Sequence, residues 1–298
     1  MLQVRGLDKS YGSRKVLDDV SFDVEPGKMT GFVGGNGAGK TTTMRIILGV
    51  LDADAGEVRL DGETLRPGSR RRFGYMPEER GLYPKMRLEE QLVYLARLHG
   101  LETATARANA VALIERLGLS ERTGEPIEKL SLGNQQRAQI AAALVHDPDV
   151  LVLDEPFSGL DPMAVEVVVD VLRERADRGI PVLFSSHQLD IVERLCDDLV
   201  IIADGRIRAS GPRSDLRAKH ATLRYRVASD DPTWLEGPGL EGLPGVTVIE
   251  RTPEGVLFDA ADADTVQDAL AAARAHGPVT DFSRQHPTLA EIFKEVVR

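Results

Sequence analysis

One cysteine, Cys196, stands in 298 residues. A lone thiol has no partner in its own chain, so it excludes an intramolecular disulfide and any cysteine-built zinc site, and redox chemistry is not the expected role. Basic residues are also scarce, 37 against 47 acidic ones for a formal net charge of -10, which works against generic nucleic-acid binding through counterion release. Arg70-Arg71-Arg72 is a local basic run, and a short run of this kind is usually solvated surface. No apolar stretch is long enough to span a bilayer, and Met1-Leu2-Gln3-Val4-Arg5 lacks a basic segment leading into an apolar signal core, so the chain is expected to be soluble. Low-complexity tracts and internal repeats are missing too. At 32.5 kDa the chain can form one large domain and a small one without help from a metal or a disulfide.

What is present is concentrated in Gly34-Gly35-Asn36-Gly37-Ala38-Gly39-Lys40-Thr41, which fits the G-x-x-x-x-G-K-[ST] phosphate loop and follows a strand-like segment, Met29 to Val33. The four glycines allow a tight curl in which successive N–H groups face phosphate oxygens. Lys40 can reach the outer phosphates and Thr41 offers a hydroxyl to magnesium. The helix opening there, through Met44 and Leu48, aims its positive end at the anion. A simple Gly-rich turn would explain the glycines but not the Lys-Thr pair in this register.

Around this loop the sequence predicts strands at Leu2 to Arg5 and Val16 to Val24 about a turn at Tyr11-Gly12-Ser13, a hairpin at Gly56 to Gly62, and a strand Phe73 to Met76 stopped by Pro77. Helical spacing then takes over from about Leu88 to Leu119 (Leu92, Leu95, Leu98; Val111, Ile114, Leu117), a helical insert. Apolar runs Val150 to Leu153 and Val182 to Phe184, with a helix Val165 to Ala176 between them, read as buried parallel strands of a doubly covered sheet. Leu199 to Ile202 and Arg206 to Ser210 follow. After about Leu216 the chain turns to strands at Leu223 to Ala228, Val246 to Ile249 and Val256 to Asp259, with helices Asp264 to Ala275 and Thr288 to Val297, a small α+β unit.

The strand Val150 to Leu153 ends in Asp154-Glu155, at the edge where open α/β sheets bind ligands, so these carboxylates and the phosphate loop are expected to meet. Asp154 would hold magnesium, and Glu155 would polarise the water that attacks a γ-phosphate. The plain alternative is an acidic turn after a strand.

Residues 1 to about 220 resemble the nucleotide-binding subunit of an ATP-binding cassette transporter. Besides the phosphate loop and Asp154-Glu155, the resemblance rests on Leu130-Ser131-Leu132-Gly133-Asn134-Gln135-Gln136-Arg137, which is similar to the family's signature sequence, on Ser158-Gly159-Leu160-Asp161 and on Ser185-Ser186-His187, in family order. It implies an α/β fold, a P-loop NTPase whose RecA-like parallel sheet core carries an antiparallel β subdomain and a helical subdomain at about 85–150, with a small α+β C-terminal domain at 221–298. It also implies ATP and Mg2+ as cofactors and ATP hydrolysis as the activity. Lys40, Glu155 and His187 would be catalytic, His187 as the switch residue on the γ-phosphate and the water. Nucleotide would be held by Tyr11, stacked on adenine, by Val16, and by Gly34, Gly35, Asn36, Gly37, Ala38, Gly39, Lys40, Thr41 and Thr42. Because the family pairs head to tail, Ser131, Gly133 and Asn134 would face the γ-phosphate of the other subunit, with Asp161 at the seam.

Two positions depart from the family pattern. Glu78 stands where the family places a metal-touching Gln, so Thr41, Glu78 and Asp154 form the expected metal set, with extra negative charge near ATP. Leu132-Gly133-Asn134 replaces the common Gly-Gly-Gln. Both departures, and Pro287 to Phe293 near the end, resemble a bacterial branch that drives exporters of drugs, antibiotics or sodium. The implied partners are a second copy or a paired ATPase subunit and separate integral membrane permeases, with no nucleic acid. The implied location is cytoplasmic, peripheral on the inner face of the membrane. Soluble superfamily members of translation or DNA repair, and a nucleotide sensor without catalysis, are the competing classes.

Overall fold

The computed structural model describes residues 1–66, 68–79, 81–219, 223–229, 239–252 and 255–297. Packing divides the chain into two compact units, Met1–Arg213 and Ser214–Val296. The boundary expected between 220 and 221 lies outside the described residues.

The first unit runs, in chain order, through β1 (Leu2–Tyr11), β2 (Arg14–Val24), β3 (Met29–Val33), α1 (Lys40–Ile47), β4 (Ala55–Leu60), β5 (Glu63–Thr64) and β6 (Phe73–Met76). It continues with α2 (Leu88–Leu98), α3 (Thr103–Arg116), α4 (Leu132–Leu144), β7 (Val150–Leu153), α5 (Pro162–Asp177), β8 (Val182–Ser186), α6 (Leu189–Leu195), β9 (Asp198–Ala203) and β10 (Arg206–Pro212). β1 extends past the expected Arg5 because Lys9 to Tyr11, though largely polar, keep backbone pairing with Leu17, Lys15 and Arg14 through register shifts, and Asp8 pairs with Ala55 of β4. Ladder hydrogen bonds do not require apolar side chains.

The central sheet has the order β10-β9-β3-β8-β7-β6, parallel throughout except for the edge pair β9 and β10. Every residue of β3, β7, β8 and β9 is buried, the consequence of nearly unbroken apolar runs covered on both faces. A second sheet, β2-β1-β4-β5, is antiparallel. Its Leu2, Val4 and Phe22 pack with Phe32, Met44, Ile47, Val152 and Ile202 in one core, each large side chain contributing about 1.5–3 kcal/mol. Arg70 of the basic run donates from Nε to the Ile47 carbonyl at 3.0 Å, closing the end of α1.

Register fixes the site. Val33 pairs with Ser186 and Leu153 with Phe184, so the C-terminal ends of β3, β7 and β8 stand side by side. The phosphate loop, Asp154-Glu155 and His187 all leave the sheet at that edge.

The helical insert buries part of the expected face, with Leu92, Ile114 and Leu117 in the core, and turns the rest of it to solvent. Leu88, Leu92 and Ala96 of α2, and Ala106, Ala110, Leu113 and Ile114 of α3, are buried, whereas Leu98 and Val111 are 64% and 48% exposed. Ala96, Ala106 and Ala110 share the buried faces with the larger residues. A scan for large apolar residues passes over these alanines.

The second unit begins with α7 (Arg213–Lys219) and adds β11 (Leu223–Ser229), β12 (Val246–Thr252), β13 (Gly255–Ala260), α8 (Ala263–His276), β14 (Val279–Gln285) and α9 (Leu289–Val297). Its strands form an antiparallel sheet of order β12-β13-β11-β14, with Val227, Phe258, Val266, Ala269 and Ala273 in its core. Asp262 accepts from the Thr265 N–H at 2.8 Å as the N-cap of α8. Thr288 and Glu291 exchange hydrogen bonds before α9, at 2.9 Å from the Thr288 N–H and 3.3 Å from the Glu291 N–H, a capping box. The edge strand β14 went unforeseen, since Val-Thr-Asp-Phe-Ser-Arg-Gln offers little apolar alternation and pairs only with β11.

Candidate active site

Between β3 and α1 the chain must reverse over the edge of the sheet, and glycine permits it in two ways. Gly37 and Gly39 have φ of 77° and 113°, a left-handed region that disfavours side chains. Gly34 is needed for room, because a Cβ there would lie 2.6 Å from the Ile202 carbonyl oxygen. Gly35 meets no protein atom within 4 Å at its Cβ position, so the fold itself does not require glycine there. Gly35, Asn36, Gly37, Gly39, Lys40, Thr41 and Thr42 line a cavity of about 650 Å³, while the buried Gly34 and Ala38 lie beneath it. The Ala38 N–H is taken by the Gly35 carbonyl at 3.2 Å. Lys40 Nζ donates to the Gly34 and Gly35 carbonyls at 2.7 and 3.3 Å, which holds its ammonium at the loop.

The same cavity is lined by Tyr11, Val16, Glu78, Asp154, Glu155 and His187. Thr41 Oγ1 donates to Asp154 Oδ2 at 3.0 Å, and Ser185 Oγ donates to the other carboxylate oxygen at 2.5 Å. A hydroxyl and two carboxylates, all hard oxygen donors on one cavity, fit a magnesium ion held by Thr41, Asp154 and Glu78.

Glu155 adopts φ of 53° although it is not glycine, a conformation that costs about 1–3 kcal/mol and persists only when its surroundings impose it. Three anchors do so. Its N–H donates to Ser185 Oγ at 3.0 Å; its carbonyl accepts from Gln136 Nε2 at 2.9 Å and from the Ser158 N–H at 3.2 Å; its Oε2 lies 2.9 Å from His187 Nδ1. With Nδ1–H turned to the carboxylate, a neutral His187 presents Nε2 as an acceptor. The carboxylate is 10% exposed and the imidazole 58%, so one group sits in the wall while the other reaches into solvent.

Ser131, Gly133, Asn134 and Asp161 do not line this cavity. Ser131 caps α4, its Oγ accepting from the Asn134 N–H at 3.3 Å, and Asp161 caps α5, accepting from the Ala164 N–H at 2.8 Å. A Cβ on Gly133 would stand 3.6 Å from the Gly159 carbonyl oxygen, so the two motifs lie side by side. Their surface is open, with Leu132 60% and Met163 74% exposed.

The chain is similar to curated proteins over its whole length. ABC transporter ATP-binding protein YhaQ of Bacillus subtilis (strain 168) is 36% identical over 297 residues, covering 100% of this chain and 98% of YhaQ. This chain belongs to the ABC transporter ATP-binding proteins. Within it, residues 17–158 match the family described as ABC transporter, and residues 211–297 match the ATP-binding protein DrrA1-3-like, C-terminal domain. The linearmycin resistance ATP-binding protein LnrL of the same organism is 31% identical over 303 residues, covering 98% of this chain and 97% of LnrL. A solved structure, described as the ATP binding subunit of an ABC transporter, superposes with a TM-score of 0.69 at 35% identity, over 74% of this chain and 92% of that one. The cassette is an ATP-binding ATPase of the export-related branch, with the P-loop fold and the appended C-terminal domain that the sequence resembles. Among its described residues no helix is long and apolar enough to cross a membrane.

Three residues of the site carry more than the sequence reading gave them. Arg14 lines the cavity, its guanidinium within 3.7 Å of the position a Gly37 Cβ would take. Its place at the start of β2, directly after the turn that follows Tyr11, was the available signal. Ser185 and Gln136 fall inside two of the sequence motifs, whose spacing assigns them no role. Their hydrogen bonds to Glu155 depend on tertiary packing that spacing does not disclose.

Proposed function

We propose that this chain hydrolyses ATP as one of two paired cassettes, closing with a second copy or a paired ATPase subunit around two ATP molecules and driving separate integral membrane permeases in export. Residues 1–220 would form the ATPase domain, with a helical subdomain at about 85–150, and 221–298 an accessory domain. The observation that carries the reading is a division of labour. Lys40, Thr41, Asp154, Glu155 and His187 share one cavity, while Ser131, Gly133 and Asp161 stand on an open surface elsewhere. Two copies arranged head to tail would bring each set to the other, burying Leu132 and Met163. The similarity to LnrL, a linearmycin resistance ATP-binding protein, supports the export direction. The chain would then sit in the cytoplasm against the inner membrane face, through the permease, with no nucleic-acid partner.

In this mechanism Tyr11 stacks on the adenine, beside Val16, and the phosphate loop with Lys40 holds the phosphates. Bound magnesium would draw charge from the phosphate oxygens. Glu155 Oε atoms take a proton from the attacking water, and His187 orients both. Ser131 and the helix start at Gly133 and Asn134 supply donors to the partner's outer phosphate.

The test is Glu155→Gln in the full chain. Bound ATP should hold the variant as a dimer in size-exclusion chromatography while phosphate release falls by roughly 10²–10⁴-fold. Unchanged hydrolysis would remove Glu155 as the base, and hydrolysis by a stable monomer would remove the paired mechanism.

A further inference from the structure

α4 begins at the exposed signature segment and ends among buried side chains, and two glutamines on its inner side do not behave as ordinary core residues. Gln136 is 8% exposed and Gln139 4% exposed. Three residues apart on a helix, they share a face. Gln136 Nε2 donates to the carbonyls of Glu155 at 2.9 Å and Pro156 at 3.1 Å. Gln139 Nε2 donates to the carbonyl of Glu79 at 3.2 Å. Both amides therefore end on backbone oxygens of the two loops that carry the carboxylates of the cavity, Glu155 itself and Glu78 next to Glu79.

We propose that Gln136 and Gln139 are positioning residues that tie the signature helix to the loops bearing Glu155 and Glu78, so that what happens at the signature end of α4 sets the carboxylate geometry of the same chain's own site. The inference rests on the paired-cassette reading, in which the start of α4 meets the partner's nucleotide.

Stability alone does not account for the pair. A buried polar side chain is unfavourable unless its groups are bonded, and Gln139 Oε1 has no partner among the described residues. Leucine would fill similar space without that orphaned oxygen. What leucine lacks is an N–H aimed at a loop carbonyl. The demand for position is acute at Glu155, whose left-handed backbone is imposed from outside. Ser185 holds its N–H and His187 its carboxylate, but neither belongs to the signature helix. Gln136 is the link from that helix to the Glu155 backbone. Because α4 is a continuous 13-residue helix, a shift at Ser131 moves Gln136 with it, and a displacement of about 1 Å at a catalytic group can cost ~100-fold in rate.

The experiment compares Gln136→Leu and Gln136→Glu in the full chain by Mg-ATP turnover, ATP affinity, and amide hydrogen exchange of residues 155–158. Gln136→Leu should bind ATP within about twofold of wild type, lose at least about tenfold in kcat, and exchange faster at 155–158, where the Ser158 N–H is bonded to the Glu155 carbonyl. Gln136→Glu cannot donate when ionised but donates again when protonated. Its activity relative to wild type should therefore rise as the pH falls, a dependence that a purely packing role would not produce. A flat ratio for Gln136→Glu, together with unchanged exchange at 155–158 in Gln136→Leu, overturns the proposal. Since exchange is read without turnover, a wild-type chain that fails to hydrolyse ATP would discredit the proposed function and leave this inference to be decided by exchange.

Discussion

His187 Nδ1 lies 2.9 Å from Glu155 Oε2, although 32 positions of sequence separate the two residues. The contact arises because β7 and β8 are parallel neighbours, with Leu153 opposite Phe184, so the residues that follow each strand leave the sheet together. An imidazole fixed by a carboxylate has one nitrogen assigned and the other free for a reacting group.

If the pair acts as a unit, its substitutions are not additive. His187→Ala alone should lower kcat by roughly 10²-fold or more with ATP affinity nearly unchanged. The double variant with Glu155→Gln should be little worse than Glu155→Gln alone. Steady-state phosphate release across the four proteins decides it, and fully multiplicative losses would show independent roles.

Gly39 is the most constrained glycine of the loop. At φ of 113° a Cβ would also approach Leu17 Cδ2 to 2.6 Å and the Val16 carbonyl to 3.1 Å. Gly39→Ala should destabilise the fold by about 1–3 kcal/mol and abolish measurable ATP binding. Gly35→Ala meets no protein atom, so it should fold normally and lose only affinity. Denaturation curves and nucleotide titrations separate the two.

Tyr11 is 52% exposed at the rim of the cavity, with Lys9 Nζ 5.9 Å from its ring centroid. Stacking on a base is worth about 1–3 kcal/mol. Tyr11→Ala should therefore weaken ATP binding by roughly 5- to 100-fold with little change in kcat, and Tyr11→Trp should restore it. An affinity unchanged in Tyr11→Ala would place the adenine elsewhere.

Acid should reveal a site remote from catalysis. His146 stacks on His99 with centroids 3.7 Å apart, and its Nε2 meets the Phe73 carbonyl at 3.1 Å. Burial, with His99 beside it, lowers its pKa from 6.5 to about 4. The unfolded chain then binds a proton that the folded one refuses. Stability is full above pH 6.5, falls as the pH drops toward 4, and levels off below, a loss of up to ~3 kcal/mol from this group. His146→Gln keeps a donor for the Phe73 carbonyl and should flatten that part of the profile in denaturant titrations between pH 7 and 4. An unaltered slope would assign the acid loss to other groups.

Glu78 lines the cavity where the family pattern has Gln. Glu78→Ala removes one negative charge and a hard oxygen ligand, so half-maximal turnover should require several-fold more Mg2+, with kcat at saturating Mg2+ close to wild type. A magnesium curve superposable on wild type would exclude Glu78 from the metal set.

Much of this molecule is legible from local chemistry. The phosphate loop, the nearly unbroken apolar runs of β3, β7 and β9, and the helix α5 each declare themselves in a few consecutive residues, because backbone freedom and burial are properties of short segments. Legibility failed where several segments share the decision. Leu98 and Val111 have the spacing of packed residues yet face solvent, while the smaller Ala96 and Ala110 beside them are buried. β14 exists because β11 offers it an edge, which its own residues do not announce.

The sequence by itself determined that this chain carries a phosphate cradle, a carboxylate pair at a strand end and the ordered motifs of a transporter ATPase. Tertiary structure alone decided how they meet: Ser185, Gln136 and His187 converge on a left-handed Glu155, Arg14 joins the cavity, and the signature and Asp161 are turned outward as helix caps. The physical reason is range. Spacing along the chain encodes turns, strands and helix ends over a few residues, whereas a hydrogen bond between distant segments depends on strand register and helix packing, which emerge only when the whole core closes.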